Sequence, residues 1–351
     1  MSARIMDSRT WHNTLERAMY GALTGSLYAL SNLGGLWELI LVCAVSGFLV
    51  GFSTGVLDWL LFLTPLRRQP FLVVLAVRTL AYLGVISLCM LLVLGLYTQI
   101  ELRRGADVMP LYQWVTQGNF LYVVIYSLIL LTVLQFIILI SRLVGPHILL
   151  NYLLGRYHQP KEEERIFMFM DLRASTTIAE RLGPMKWHQF LNDFFYDIAQ
   201  PVRRSRGEIY QYVGDEVVIS WPKTTGLQKL NCIHCFFGIW DKMEKRHQYY
   251  LDRYGYEPIF KAGYHVGRVI AGEIGDFKRD IVFHGDTVNT ASRIQAECNH
   301  FNRRLLLSDT LLRQLDLGKE YTAEYITTTQ LPGKEEVLQL YSLDPVIIKK
   351  G

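Results

Sequence analysis

Hydrophobic positions are distributed unevenly along the chain. Before residue 145 they form long runs at Leu39–Leu57, Leu80–Tyr97 and Phe120–Ile140. Each run is long enough to cross a bilayer as an α-helix. A fourth run, Ala18–Leu33, is shorter and interrupted by glycine and serine. This pattern predicts a helical membrane domain in the first part of the chain.

The charges between these runs predict their orientation. Arg67 and Arg68 lie between the second and third candidates, and Arg142 and Arg156 follow the last. Loops rich in Lys and Arg tend to stay in the cytoplasm. If the basic N-terminal segment is also cytoplasmic, the number of spans must be even. We therefore expect four spans in a lipid bilayer with both termini inside; the alternative makes Ala18–Leu33 an interfacial helix and leaves three spans.

After the last apolar run the pattern changes to short strands. Ile166–Thr177 is a strand-like run that ends on Asp171 and continues into hydroxyl residues. Glu208–Ile219 reads as a hairpin with Asp215 at its turn. Antiparallel pairing would bring the two carboxylates together, and such a pair needs a divalent cation between them. The alternative is two unrelated aspartates at solvated strand ends.

A third stretch combines an amide with a guanidinium. In Arg279–Arg293 a short strand, Ile281–Phe283, leads to Asp286, which we expect to be a helix N-cap. Asn289 and Arg293 follow four residues apart and so share one helix face. Together they suit a sugar oxygen and a phosphate. Taken alone, the pair could equally be a surface hydrogen bond.

The remaining pattern predicts an α+β sandwich with helices on one face of a mainly antiparallel sheet. The predicted helices are Thr176–Leu182, Lys186–Arg203 and Leu227–Tyr250. The predicted strands are 208–213, 216–221, 259–265, 268–273, 279–283 and 304–307, followed by a hairpin ending near residue 343.

Composition adds three limits. The net charge of +4 on 351 residues is too small to indicate a nucleic-acid partner. Half of the residues are hydrophobic, which agrees with a membrane domain. The five cysteines form no disulfide framework. Cys232 and Cys235 have zinc-like spacing, but they lie in an apolar helical run, so we expect core cysteines.

Four ordered motifs carry a family resemblance: FMDLRAST, YVGDE, GYHVGRVIAGEIG and HGDTVNTASR. Over roughly residues 145–344 the chain resembles the class III nucleotidyl cyclases, the adenylate and guanylate cyclase family, of the bacterial membrane-anchored type. The resemblance implies a multi-span membrane domain over 1–144 and a transducing helix or linker over 145–165. A ferredoxin-like catalytic domain over 166–344 and a short tail over 345–351 would follow, with the catalytic domain cytoplasmic and the membrane that of the bacterial inner-membrane type.

The resemblance also assigns metal and phosphate ligands. Asp171 and Asp215 would bind two divalent cations, Mg²⁺ or Mn²⁺, with the backbone carbonyl of Leu172 as a further ligand. Ser175 and Thr176 would cradle the β- and γ-phosphates of a nucleoside triphosphate. Two metal ions acidify an attacking hydroxyl and neutralise the leaving group.

For the nucleoside, the resemblance implies that Asn289 orients the ribose and that Arg293 stabilises charge on the α-phosphate. The family's base-reading residues are replaced here by Gln211 and Val282. Gln211 can donate and accept hydrogen bonds, so it fits adenine, guanine or a pyrimidine. The family's phosphate-binding lysine is also missing, and Lys334 is the nearest substitute.

The resemblance implies an adenylate cyclase that converts ATP to 3′,5′-cyclic AMP and pyrophosphate. It also implies a homodimer whose two sites are each completed by both chains. Two alternatives stay open. The enzyme could act on GTP or a pyrimidine triphosphate, or the chain could be a non-catalytic nucleotide-binding sensor of cyclase fold.

Overall fold

The computed structural model divides into two compact units, Met1–Val144 and Gly145–Gly351. It describes residues 8–32, 37–63, 69–103, 105, 119–144, 151, 154–277, 279–330 and 337–346. The first unit contains four described helices: α1 (Ser8–Asn32), α2 (Trp37–Leu63), α3 (Phe71–Arg103) and α4 (Asn119–Val144).

Three of these helices are long and apolar enough to cross a membrane. The most apolar segments are Cys43–Leu60 in α2, Phe71–Leu96 in α3 and Val124–Ser141 in α4. They contain most of the three long runs predicted from the sequence. Among the residues that the structure describes, α1 does not reach the same apolarity, so the fourth span, Ala18–Leu33, stays a prediction.

The backbones of α1 and α2 are in direct contact. A Cβ atom added at Gly21 would lie 2.1 Å from the carbonyl oxygen of Gly47, and one added at Gly25 would lie 2.1 Å from that of Cys43. Only glycine permits so close an approach. The pairs show that the helices run antiparallel, with the glycine-lined packing that is common between membrane helices.

A polar cluster also joins three helices of this unit. Asp58 on α2 accepts hydrogen bonds from Arg17 on α1 and from Tyr82 on α3, both at 2.5 Å. Because an isolated carboxylate is costly in an apolar bundle, these bonds tie α1 and α3 to α2.

The described residues of the second unit form eight strands in one sheet. They are β1 (Lys161–Leu172), β2 (Glu208–Val213), β3 (Glu216–Pro222), β4 (Phe260–Ile274), β5 (Asp280–His284), β6 (Leu305–Ser308), β7 (Tyr321–Gln330) and β8 (Val337–Pro345). The order is β2-β3-β1-β4-β6-β8-β7, and β5 pairs with β4 beside this path. Only the β4–β6 pair is parallel among these strands.

Helices cover both faces of this sheet. They are α5 (Ser175–Arg204), α6 (Lys223–Leu227), α7 (Asn231–Tyr254), α8 (Asp286–His300) and α9 (Asp309–Leu312). Met168 of β1 packs with Phe190 of α5 and Phe236 of α7 in the main core. Its neighbour Phe167 points to the opposite face and packs with Ala291 of α8. The prediction of α+β architecture is confirmed, but the expectation of helices on one face is wrong.

One predicted strand boundary is wrong, and one predicted helix boundary is confirmed. The predicted strands 259–265 and 268–273 are one strand, β4, because β1 pairs with it from Leu172↔Phe260 to Lys161↔Ala271. The predicted helices Thr176–Leu182 and Lys186–Arg203 are confirmed as the two parts of α5, because Gly183 between them has the non-helical angles φ 71° and ψ 165°.

Two smaller expectations are settled as well. Asp286 is the first residue of α8, and Gly285 occupies the N-cap position, so the predicted Asp286 cap is wrong. Cys232 and Cys235 are fully buried in the core with free thiols, as expected. Of the transducing helix or linker expected over 145–165, residues 145–150, 152 and 153 lie outside the described residues, and 161–165 belong to β1.

Candidate active site

The sheet brings together the two aspartates predicted from the sequence. β1 pairs antiparallel with β3 up to Met170↔Val217, so Asp171 follows at the end of the paired region. β2 and β3 form the predicted hairpin, in which Gly214 has φ 63°. Glycine adopts this left-handed conformation without strain. The turn therefore places Asp215 next to the end of β1.

The Asp171 and Asp215 carboxyls are close enough for Asp215 to affect the ionisation of Asp171. Partial burial of Asp171, followed by its contact with Asp215 and the repulsion between the two, raises the pKa of Asp171 to about 6. Asp215 Oδ2 is buried without a hydrogen-bond partner. A buried carboxylate oxygen without a donor is rare and needs an explanation. The pair therefore fits a divalent cation, which would satisfy the free oxygen and relieve the repulsion.

Lys261 is a site residue that the sequence reasoning missed. It stands opposite Asp171 in the β1–β4 register, and its Nζ lies 3.2 Å from Asp171 Oδ2. The lysine side chain is only 7% exposed. A buried ammonium needs a counter-charge, and Asp171 supplies it. The sequence feature that could have identified it is a single lysine within the otherwise apolar strand FKAGYHV.

Gln295 is the second missed residue. It lies on α8, is 6% exposed, and donates from Nε2 to Asp171 Oδ2 at 3.2 Å. The helical spacing gave a signal, because Ala291, Ile294 and Cys298 place position 295 on the buried side of the helix. That spacing predicts burial, but it does not name the carboxylate that Gln295 contacts.

Glu216 adds a third carboxyl to this site. Partial burial, followed by repulsion from Asp171 and Asp215, raises the pKa of Glu216 to about 7. Among the described residues, no three His, Cys, Asp or Glu side chains are arranged to hold a metal ion by themselves. Two carboxylates are nevertheless sufficient for Mg²⁺ when phosphate oxygens of a substrate complete its coordination.

The turn after β1 offers donors beside the carboxylates. Leu172 ends the strand with its side chain buried in the core, so only its backbone could serve a metal ion. Ala174 has φ 56°, and Ser175 begins the 30-residue helix α5. Ser175 is half-buried and Thr176 is exposed. Free N–H groups at such a helix start attract phosphate.

The close approach of α8 to β4 fixes the positions of Asn289 and Arg293. A Cβ at Gly263 would lie 2.2 Å from the backbone nitrogen of Gln295, and one at Gly267 would lie 2.4 Å from Thr287 Oγ1. The helix therefore lies directly on the strand backbone, and its rotation is set by these contacts.

This rotation separates two sets of side chains on α8. At 100° per residue, Asn289 and Arg293 are about 40° apart around the helix, as predicted. Gln295, which contacts Asp171, is about 160° from Arg293. Asn289 is exposed and Arg293 half-buried, whereas Gln295 is buried. Within one chain, Arg293 therefore leaves α8 on the side opposite the contact with Asp171.

The predicted base-reading positions lie on strands that approach each other. Gln211 on β2 is exposed, and Val282 on β5 is half-buried. Their neighbours Tyr210 and Phe283 have ring centroids 5.0 Å apart, and the Phe283 backbone N–H donates to the Tyr210 hydroxyl at 3.3 Å. Lys334, the predicted substitute for the phosphate-binding lysine, lies outside the described residues.

Comparison with known proteins gives consistent matches. The sequence profile of the family described as "Adenylate and Guanylate cyclase catalytic domain" matches residues 157–344. Adenylate cyclase 2 of Rhizobium meliloti (strain 1021) is 37% identical over 223 residues, which cover 64% of this chain and 61% of that protein. An adenylate cyclase of Anabaena cylindrica is 25% identical over 179 residues, covering 50% of this chain and 36% of that protein.

The fold has a counterpart among solved structures. A bacterial light-regulated adenylyl cyclase superposes with a TM-score of 0.51 at 21% identity, covering 61% of this chain and 64% of that one. The chain spans less than two thirds of the length of each of these three proteins.

Proposed function

The chain belongs to the adenylate and guanylate cyclase catalytic-domain family, whose profile covers more than half of its residues, and from this premise we propose that it is a membrane-anchored adenylate cyclase. The proposed reaction converts ATP to 3′,5′-cyclic AMP and pyrophosphate. It requires two divalent cations, Mg²⁺ or Mn²⁺, and takes place in a homodimer with shared sites. The reaction is intramolecular: the ribose 3′-oxygen attacks the α-phosphorus, and pyrophosphate leaves.

The observation that carries this proposal is the carboxylate pair. Asp171 and Asp215 face each other, and Asp215 Oδ2 is buried without a donor. In a structural ion pair, protein donors would bind the oxygens of both aspartates. In a site for a cation, a carboxylate oxygen is left without a protein donor. When bound, divalent cations would lower the pKa of the 3′-hydroxyl and neutralise charge on the leaving pyrophosphate.

The chain's own groups would orient the nucleotide. Ser175, Thr176 and the first N–H groups of α5 supply donors for the terminal phosphates. Lys261 lies beside Asp171, and its buried ammonium group would attract the terminal phosphates as well. Asn289 would orient the ribose, and Arg293 would stabilise the charge that develops on the α-phosphate.

The geometry of α8 supports the homodimer. Arg293 leaves the helix on the side opposite Gln295, which contacts Asp171. One chain therefore presents the metal set and the Asn289/Arg293 set in different directions. A two-fold dimer would bring the metal set of each chain to the Arg293 set of the other, giving two equivalent sites.

A mixture of two inactive variants tests this sharing. Asp171→Ala and Arg293→Ala should each be inactive alone. Random pairing in one membrane makes about half of the dimers mixed, each with one intact site, so activity should recover to roughly a quarter of wild type. A mixture that stays inactive while the chains associate would exclude shared sites.

The preference for ATP rests on the relatives named above. Both are adenylate cyclases by name, but Gln211 and Val282 leave the base open to GTP or a pyrimidine triphosphate. The deciding experiment supplies purified protein with Mg²⁺ or Mn²⁺ and each nucleoside triphosphate in turn, and identifies products by mass. Cyclic AMP from ATP is expected as the main product. Preference for another triphosphate would replace the base assignment, and no product from any would favour the non-catalytic sensor.

The membrane anchor is proposed to have four spans with both termini and the catalytic domain in the cytoplasm of a bacterial cell. The contact between α1 and α2 supports this count. Gly21 and Gly25 touch Gly47 and Cys43, and Cys43 begins the apolar segment of α2. The middle of α1 therefore lies beside a candidate span, which supports the proposal that α1 crosses the bilayer with α2.

A further inference from the structure

Gln295 lies where a polar side chain is costly. Ala291, Ile294 and Cys298 on the same side of α8 are fully buried, and Gln295 itself is 6% exposed. A buried amide lowers stability unless it is hydrogen-bonded. Its Nε2 has a hydrogen bond to Asp171 Oδ2 at 3.2 Å. The amide is thus directed from the core of the helix–sheet interface to one oxygen of the proposed metal site.

We propose that Gln295 is a positioning residue for the metal-binding carboxylates, which rests on the proposed cyclase function. Two donors, Gln295 Nε2 and Lys261 Nζ, each lie 3.2 Å from the same Asp171 oxygen, Oδ2. Two donors on one oxygen fix the rotation of the carboxyl group. They therefore determine where Oδ1 points relative to Asp215, whose Oδ2 is buried without a partner.

The two donors have different roles because only one is charged. Lys261 compensates part of the negative charge, but an ammonium on a flexible stem orients a carboxylate weakly. A second cation would orient it at the cost of the negative charge that attracts divalent ions. The neutral amide of Gln295 gives direction without removing charge. Groups that orient a metal ligand in this way contribute about 10–100-fold to metal affinity or activity.

Gln295 also connects this carboxylate to the helix that carries Asn289 and Arg293. In the proposed dimer, those two residues serve the partner's metal set. A substitution at Gln295 could thus act by releasing Asp171 in its own chain or by shifting α8 toward the partner's site. Our proposal is the first of these, and the two can be separated.

The first experiment measures Mn²⁺ binding without turnover. The full chain is titrated with Mn²⁺ by electron paramagnetic resonance in the presence of 3′-deoxy-ATP, which lacks the attacking oxygen. Gln295→Met keeps the side-chain length and removes the donor, and should weaken Mn²⁺ binding by about 10–100-fold. Asn299→Ala, an exposed position on the same helix, is the matched control and should bind as wild type does.

Unchanged Mn²⁺ binding by folded Gln295→Met would overturn the proposal. If this variant does not fold, Gln295→Asn replaces it, because the shorter amide stays polar but cannot reach Asp171; the same loss is expected and wild-type binding would again overturn the proposal. A wild-type protein that binds no Mn²⁺–nucleotide would overturn the proposed function itself, which is a distinguishable result.

The second experiment uses mixed dimers of the Arg293→Ala and Asp171→Ala chains. Their intact site takes Asp171 from the first chain only. Gln295→Met on the Arg293→Ala chain should therefore raise the Mn²⁺ concentration for half-maximal activity about 10–100-fold. On the Asp171→Ala chain it has no carboxylate to orient and should not change this concentration. Equal effects in both placements would show a general role in α8 and overturn the proposal.

Discussion

Replacing Glu216 with glutamine is expected to stabilise the metal-free catalytic unit at alkaline pH. Partial burial, then repulsion by Asp171 and Asp215, raises the pKa of Glu216 from 4.5 to about 7. A carboxyl whose pKa is higher in the folded than in the unfolded state binds protons on folding, so its ionisation opposes folding as the pH rises. Glutamine keeps the shape of the side chain and removes the charge.

The magnitude follows from these two pKa values. The penalty begins near pH 4.5 and is complete above about pH 7. At about 1.36 kcal/mol for each pKa unit, it is at most about 3 kcal/mol. Because Glu216 is only half-buried, solvent screening reduces it to about 1–2 kcal/mol. For a unit of about 200 residues, Glu216→Gln should raise Tm by roughly 2–8 °C at pH 8.

The assay is thermal unfolding of the detergent-solubilised chain in EDTA at pH 5 and pH 8. Hydrogen exchange of the β3 amides separates the catalytic unit from the membrane unit. Glu180→Gln, at an exposed position of α5, is the matched control and should leave Tm unchanged. Most of the gain from Glu216→Gln should disappear at pH 5. No gain at pH 8, or the same gain at both pH values, would refute the reasoning.

Three further predictions concern activity, base choice and topology. Asp171→Ala or Asp215→Ala should lower cyclase turnover at least about a hundredfold, which corresponds to roughly 2.7 kcal/mol of activation free energy. The far-UV circular dichroism spectrum should be unchanged. Near-normal turnover in either variant would contradict the two-metal site. Gln211→Ala should reduce discrimination among nucleoside triphosphates more than it weakens Mn²⁺ binding. Discrimination is measured as the ratio of kcat/KM between two triphosphates, and an unchanged ratio would contradict a contact between Gln211 and the base. A topology reporter after Gln113 should read as periplasmic, and a cytoplasmic signal there contradicts four spans with both termini inside. Cytoplasmic signals are expected at three other positions: Met6, Arg68 and Arg156.

Local patterns were sufficient to predict that Asp171 and Asp215 lie together. The strand ending on Asp171 and the hairpin at Gly214-Asp215 each carry their signal within a few residues. Once the two strands pair, their carboxylates must meet. Asn289 and Arg293 are likewise on one face of α8 because four residues make about one helical turn. These features depend on the geometry of residues close together in the chain, so they can be predicted from the local sequence.

Contacts between distant segments could not be predicted in the same way. Lys261 and Gln295 meet Asp171 only because β4 and α8 pack against β1. That packing depends on Gly263, where a larger residue would strike the α8 backbone. Gly267 was left between the predicted strands 259–265 and 268–273, yet β4 runs straight through it. Partners along β1 decide that continuity, and they are about one hundred residues away.

Charge balance distinguishes this site from structural ion pairs elsewhere in the same unit. Asp197, which is buried in the α5–α7 interface, accepts hydrogen bonds from Arg246 at 3.0 Å and Tyr250 at 2.9 Å. Removing a satisfied, buried carboxylate leaves its partners unpaired and lowers stability. Glu216 has the opposite character, because partial burial and repulsion by Asp171 and Asp215 raise its pKa, so its ionisation opposes folding. A carboxyl group whose ionisation opposes folding is expected to be retained for what it binds, and this supports the proposed cation at the β1–β3 edge.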